Sequence, residues 1–357
     1  MIPFMILLTF PIVLYPFVRN TTVNHVRMDR LPLFFFFAML TILVMFRNQN
    51  VGNDTANYMH YFVRDAHAEW RYLMSRFSEI GYRVISKTVS LLSDNPHFFI
   101  AAMGLAVSAL LYPTYRELCE DPPLTIVLFC NMSTFAMMFS GIRQMLAIGV
   151  GMIAFSFVRK KKPVLFLLAV AAAMSIHTSA FMLLIMYPLY HARINKKWAF
   201  FMIPLLLLAF VFNRQIFHVL GTILQSYTDY DVVETSTGAY TMLLVFLAFT
   251  VFSFVIPDES EMDADTIGLR NFLLVALVLQ MFVPLNYMAM RMNYYYIIFI
   301  PLLLPRIIER SSVRYRSIAR ASRNIMLALF FLYFFYNARP GSYLHTIPYH
   351  FFWEQNL

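Results

Sequence analysis

The chain has 357 residues, 60% hydrophobic and only 13% charged, and its mean hydropathy is +0.63. A soluble domain is about half apolar and about a quarter charged, so a soluble enzyme and a disordered chain are both excluded. The formal net charge of +9 sits largely in short segments between apolar runs, where it sets membrane orientation; it does not mark a nucleic-acid surface.

Apolar runs fall at 2–18, 31–46, 98–115, 124–139, 142–158, 163–176, 178–190, 198–212, 239–256, 269–283, 294–305 and 324–337. With 37 Phe, 21 Tyr and 24 Met but 10 Gly, they read as helices and not as strands of a barrel. The expected fold is all-α: one polytopic membrane domain over 1–357 with about twelve transmembrane helices, some short or re-entrant. The first run lacks a basic leader and a cleavage site and reads as a first span. Cys119 and Cys130 form no disulfide framework and read as packing residues.

With the N-terminus outside, eighteen of the 28 Lys and Arg residues fall in inner loops, which supports that orientation. A long outer loop then covers 47–97, with helix-like apolar spacing from Phe77 to Leu92 that predicts a surface helix. A second outer loop covers 213–238, and a basic cytoplasmic loop covers 306–323. The acidic inner segment 257–268 reads as solvated.

Two runs need a break. Residues 124–158 would form a helix of about 52 Å, too long for a hydrocarbon core of about 30 Å, so the chain must turn, most naturally at Ser140-Gly141. Residues 163–190 would reach about 42 Å; a turn at Ser175–Ser179 keeps the later basic loops inside. Each half is then short, which places His177 below the outer surface in a depression lined by protein.

Arg47, Arg143, Arg214 and Arg291 defy the orientation bias at the outer ends of apolar runs. They read either as snorkelling to headgroups or as an outward anion site. Arg143 opens a helix, where free N–H groups favour an anion; Gln144 adds a donor, and the guanidinium fork suits phosphate oxygens. His177 is ionisable at membrane depth and suited to take a proton near pH 7, or it simply closes its turn. In FRNQNVGNDTANYMHYF, Asp54 reads as a base, a sugar ligand, an arginine partner or a cap, with Tyr58 one turn on. Glu79 and Tyr82 are spaced to share a face. The pairs Asp229/Asp231 and Asp263/Asp265 read as solvated acids, since no nucleotide-binding domain accompanies them. No zinc, Walker or serine-hydrolase motif occurs.

The segments FRNQNVGNDTANY, EIGY at 79–82, FSGIRQMLAIG at 139–149, SIHTSAF at 175–181, MRMNYYY at 290–296 and PYHFFWE at 348–354 together resemble the EpsG/Wzy-type family of bacterial polysaccharide polymerases. The resemblance implies a GT-C-like membrane glycosyltransferase needing no cofactor and no metal. Its partners would be undecaprenyl-diphosphate-linked oligosaccharides, membrane lipid and a chain-length regulator, with no nucleic acid. It implies action at the outer, periplasmic face of the bacterial cytoplasmic membrane. On this reading Arg143 and Arg291 stabilise the leaving diphosphate, assisted by Arg47 or Gln144. His177 or Asp54 is the base, and Tyr58, Glu79 and Tyr82 contact sugar. A flippase or exporter of lipid-linked glycans, a glycan ligase and a membrane acyltransferase are the alternatives.

Overall fold

A computed structural model describes residues 2–23, 26–75, 79–224, 238–338 and 346–354. The regular structure of the described residues is helical apart from a short ribbon, Thr22–Val23 paired with Val26–Arg27. The helices in chain order are α1 (Ile2–Val18), α2 (Leu31–Met45), α3 (Thr55–His67), α4 (Trp70–Ser75), α5 (Ile80–Ser90), α6 (Pro96–Leu118), α7 (Pro122–Asn131), α8 (Ser133–Ser140), α9 (Ile142–Arg159) and α10 (Pro163–Ile176). A 3-10 segment, Thr178–Ile185, leads into α11 (Met186–His191), α12 (Lys196–Val211), α13 (Asn213–Leu224), α14 (Gly238–Val255), α15 (Ala264–Gln280), α16 (Tyr287–Ile297), α17 (Ile300–Glu309) and α18 (Arg316–Asn337).

Local chemistry starts several of these helices. Asn95 and Asp121 cap α6 and α7 with side-chain oxygens ahead of Pro96 and Pro122, the pairing of acceptor and N1 proline that helix starts favour. Among the described residues, four helices are long and apolar enough to cross a membrane: α6, α9, α14 and the 313–337 segment containing α18. The count rises to six if the bent pairs α7–α8 (64°) and α12–α13 (74°, to Val219) each form one span. The chain is a membrane protein built from helices; α1, α2 and α10 are apolar but shorter.

The fold divides into two compact units, Met1–Leu184 with Ser322–Leu357, and Ile185–Ala321. In the first, α9 packs on α10 and α6, and α2 packs on α1 and α6. Phe4 sits edge-on to Phe135, Phe139, Phe334 and Tyr349 at 5.5–6.5 Å between centroids, the geometry that aromatic quadrupoles prefer. One end of this unit is basic and paired. Arg30 donates to the Arg116 and Glu117 carbonyls at the C-terminus of α6, Arg159 meets Glu117 at 2.6 Å, and Arg323 meets Asp121 at 2.6 Å. Cations belong at carbonyl-rich helix ends. The 18 residues of α9 carry the chain about 27 Å from this end to Arg143.

In the second unit, polar staples join helices. Asn271 donates to the Leu189 and Ala192 carbonyls (2.8 and 2.7 Å), and Gln280 to Ala239 O (3.0 Å). Such bonds tie apolar helices where lipid supplies no hydrophobic drive. The segment 257–268 is more than a solvated loop. Asp263 caps α15 through Thr266 and accepts from Arg306 and Arg310 at 2.7 Å each. Asp265 accepts from Tyr190 (2.6 Å), and buried Arg270 holds Glu259 at 2.7 Å. The expectation of free solvation overlooked the arginines that long-range packing supplies. Likewise the basic stretch 306–323 is mostly helix, with Arg306 in α17 and Arg316, Arg320 and Arg323 in α18. Asp229, Asp231 and Phe77 lie outside the described residues, as does 225–237 of the segment expected to form the second outer loop.

Candidate active site

The far end of the first unit is assembled from short loops that dock on one another. After α2, the chain turns at Gly52, whose φ of +88° suits glycine alone among ordinary residues. A Cβ there would collide with the Phe139 carbonyl. The next residues fasten to the same place: Asn53 N–H donates to Ser140 Oγ at 3.2 Å, and Thr55 Oγ1 lies 3.1 Å from Phe139 O. The turn of the first motif thus rests on the last residues of α8. Gly141 follows immediately, ending α8 and starting α9, as the sequence predicts, and Arg143 lies in the first turn of α9.

A second docking brings in the other half. Gly81, in the first turn of α5, lies so close to Ser175 near the end of α10 that a Cβ would overlap the Ser175 hydroxyl. This contact sets Glu79, at the N-cap of α5, beside His177, the residue that ends α10. The predicted turn at Ser175–Ser179 is present, with the 3-10 segment beginning at Thr178.

The result is a chain of three ionisable groups. Arg143 Nη1 donates to Glu79 Oε2, and His177 Nδ1 lies 2.6 Å from Glu79 Oε1. One carboxylate therefore holds both partners, one on each oxygen. Burial pushes the Glu79 carboxyl up, but the His177 hydrogen bond and the Arg143 charge outweigh it and hold its pKa below the usual range. An ionised carboxylate only accepts, so His177 Nδ1 carries the proton and Nε2 is left as the basic nitrogen. Glu79 itself stands in the left-handed region, φ 55° and ψ 41°. Non-glycine residues held there cost about 1–3 kcal/mol, and such strain gathers at functional sites.

Two tyrosines line the guanidinium. The Arg143 Cζ lies 5.6 Å from the Tyr58 ring centroid and 5.5 Å from that of Tyr82, within cation–π range. Both rings are buried, and burial raises both hydroxyl pKa values, opposed by the Arg143 charge. Arg143 Nε and the Tyr82 hydroxyl are buried without a hydrogen-bond partner among the described residues. Such atoms cost about 1–3 kcal/mol when unmet, so they are donors still to be satisfied. The Arg143 side chain remains 35% exposed, against 14% for Glu79 and 13% for His177.

Arg47 plays a different part. It is 1% exposed, donating from Nη1 to Val44 O (2.5 Å) and from Nε to Thr55 Oγ1 (3.1 Å). Burial lowers its pKa to about 10, which leaves it protonated at neutral pH. The C-terminal segment backs it. Asn48 N–H donates to His350 O and Phe352 N–H to Phe46 O, both at 2.9 Å, and Tyr349 Oη donates to Leu43 O at 2.8 Å. Arg47 is a joint between α2, the Gly52 turn and this segment.

Of the residues singled out in the sequence, Arg143, Glu79, His177, Tyr58 and Tyr82 come together. Asp54 is half-buried at the N-cap of α3, without a side-chain cap bond, and its charge acts on Tyr58. Gln144 is buried beside Arg143 on α9. Arg291 and Arg214 lie in the second unit, in α16 and α13. Sequence reading assigned Glu79 to sugar and missed its position between Arg143 and His177. The signal was present: EIGY carries an acid and a small residue at a helix start, but no local pattern tells which distant turn it meets. Among the described residues, no three His, Cys, Asp or Glu side chains group as metal ligands.

The model of the EpsG family matches residues 30–351. No curated protein and no solved structure matches the chain.

Proposed function

The chain belongs to the EpsG family, whose membership points to polysaccharide polymerisation in a membrane, and from that premise we propose a complete reaction. A growing glycan on undecaprenyl diphosphate is the donor, and a lipid-linked oligosaccharide repeat unit is the acceptor. His177 Nε2 takes the proton of the acceptor hydroxyl. The hydroxyl oxygen attacks the donor's anomeric carbon, and the bond to the diphosphate breaks with its electron pair leaving on the diphosphate oxygen. Glu79 holds the imidazole in the tautomer that a base requires and stabilises the imidazolium once formed, the logic of a histidine–carboxylate pair. Arg143 meets the charge that grows on the leaving diphosphate, so it stabilises the transition state more than the ground state. Arg291 is the second arginine assigned to that charge, Arg47 or Gln144 the assisting group, and Tyr58 and Tyr82 the sugar contacts. Asp54 is the second candidate for the base.

The observation that carries this reading is the shared Glu79 carboxylate, with Arg143 on one oxygen and His177 on the other. A guanidinium and an oriented imidazole are the two groups that departure of a diphosphate and deprotonation of a hydroxyl require. The finer architecture belongs to the same proposal. It comprises one GT-C-like membrane domain of about twelve crossings, completed by the short helices α1, α2 and α10, with 47–97 and 213–238 outside and 306–323 in the cytoplasm. The site faces the outer side of the bacterial cytoplasmic membrane, where a chain-length regulator has access to the product.

The test is incubation of purified protein with a lipid-linked repeat unit and resolution of the products on a gel. A ladder spaced by one unit is expected. A single addition to a different acceptor makes the protein a ligase or acyltransferase, and movement of unaltered substrate across vesicles makes it a flippase or exporter.

A further inference from the structure

In the ligand-free arrangement, Arg143 and His177 compete for one carboxylate, and each is restrained by it. A guanidinium engaged with Glu79 is partly neutralised before any phosphate arrives. A carboxylate engaged with a guanidinium offers less charge to an imidazolium. Removing either bond strengthens the other.

The surroundings leave Glu79 facing both partners at once. Among the described residues, Glu79 of the α5 segment pairs with His177 and with Arg143 of α9, Tyr58 and Tyr82 line the Arg143 guanidinium, and the Asp54 charge acts on Tyr58. Arg83 and Lys87, also on α5, are tied to the Leu73 carbonyl (3.3 Å) and the Ala66 carbonyl (2.6 Å). Arg159 is committed to Glu117 at the other end of α9. Among the described residues, Arg143 thus opposes the pull of Glu79 on the His177 proton. It also has a buried Nε with no partner and a side chain about one-third exposed, so it has both a donor to offer and access to an anion.

Resting on the polymerase reading above, we propose that Glu79 is a positioning residue that couples leaving-group binding to base strength: a diphosphate takes Arg143 from Glu79, and the freed carboxylate then makes His177 the stronger base. The ligand class is a diphosphate, which carries more charge than one carboxylate and matches the guanidinium fork. The left-handed backbone at Glu79 fits a residue held in place by its two partners, and loss of one partner lets it settle on the other. The consequence is order. His177 is a weak base while the donor site is empty, and it is armed when the diphosphate is seated.

The experiment uses the full-length protein in detergent, labelled with nitrogen-15 at histidine, with inorganic pyrophosphate as the probe. Titrated between pH 5 and pH 8, the His177 ring resonances, assigned by their loss in His177→Gln, should show a midpoint that moves upward as pyrophosphate is added, with neutral imidazole still present at pH 7 to act as the base. In Glu79→Gln the affinity for pyrophosphate should rise several-fold, because Arg143 is already free, while the His177 response should shrink by more than half. A purely structural Glu79 would move neither reading in those opposite directions. If wild-type protein binds pyrophosphate through Arg143, as judged by loss of binding in Arg143→Gln, yet the His177 resonances stay still or move equally in Glu79→Gln, the coupling is wrong and the polymerase reading stands. If no binding depends on Arg143, the assignment of the leaving-group site fails as well. Glu79→Asp provides a second variant with the charge retained on a shorter stem: it should keep the His177 response if coupling is electrostatic, and its loss there despite intact folding overturns the proposal.

Discussion

Gly52 shows how a residue without a side chain decides the position of residues that have chemistry. Its positive φ and its contact with the Phe139 carbonyl let the turn reach α8, and Thr55 and Tyr58 follow from there. Gly52→Ala combines a disfavoured backbone with a collision, and the expected loss is about 2–4 kcal/mol, read as a lower midpoint in thermal unfolding, with activity falling in parallel. At Arg143 the demand is chemical. Arg143→Ala should abolish long-chain glycan at normal protein level, and Arg143→Lys should restore little, since a point charge lacks the fork; glycan ladders from cells carrying each variant check both. His177→Ala should likewise leave folding intact and remove the ladder. Arg143, His177, Tyr58 and Tyr82 were all legible as candidates from residue type and position. The role of Glu79 was not, because it depends on Gly81 meeting Ser175, a contact between segments more than ninety residues apart.

Helix limits were legible in part: the run 294–305 is divided between α16 and α17, and 178–190 is a 3-10 segment followed by α11. The apolar runs 2–18 and 163–176 are α1 and α10 to the residue, bounded by Arg19, Lys162 and the His177 turn. The bend at Met132 was hidden. It follows Asn131, whose amide donates to its own helix at Val127 O and to Phe330 O of α18, both at 2.8 Å. A side chain that competes for backbone groups weakens a helix, but only the fold supplies the distant carbonyl. The loop before α15 teaches the same lesson with charge. Asp263 is held at a pKa of about 2, burial being outweighed by the Thr266 hydrogen bonds and by Arg306 and Arg310. A depressed carboxyl stabilises the fold above its unfolded pKa of about 4, and that contribution is lost as pH falls from there toward 2. Asp263 is partly exposed, so screening reduces the contribution to about 1 kcal/mol. Asp263→Asn should lower the unfolding midpoint at pH 7 and leave it unchanged at pH 2, measured by scanning fluorimetry in detergent.

For the molecule as a whole, composition alone established a helical membrane protein. Single-chain pattern reading does not establish how many crossings it makes, because helices of 14 or 15 residues in a bundle read the same whether they cross or dip. Charge placement is the more informative signal. In the first unit the paired basic end and the Arg143 end are separated by the length of α9, as the outward-facing reading of the site requires. Lys162→Cys and His350→Cys, introduced singly, should react with a membrane-impermeant thiol reagent from opposite sides of intact cells, with His350→Cys labelled from outside. Native Cys119 and Cys130 are buried and should stay silent. Labelling of both positions from one side would rule out the proposed orientation.

The 14 residues of α10 rise only about 21 Å, and the 15 of α2 little more, where an average hydrocarbon core measures about 30 Å. Under the proposed twelve-crossing architecture both helices cross, and a mismatch of this size would be relieved by thinning the surrounding bilayer or by tilting, at a modest cost per ångström. Since His177 ends the shorter of these helices, that proposal makes the thickness of the host lipid a control on turnover. Vesicles of 14-carbon acyl chains should support faster elongation than vesicles of 22-carbon chains, with the same protein, the same substrate and no change in sequence.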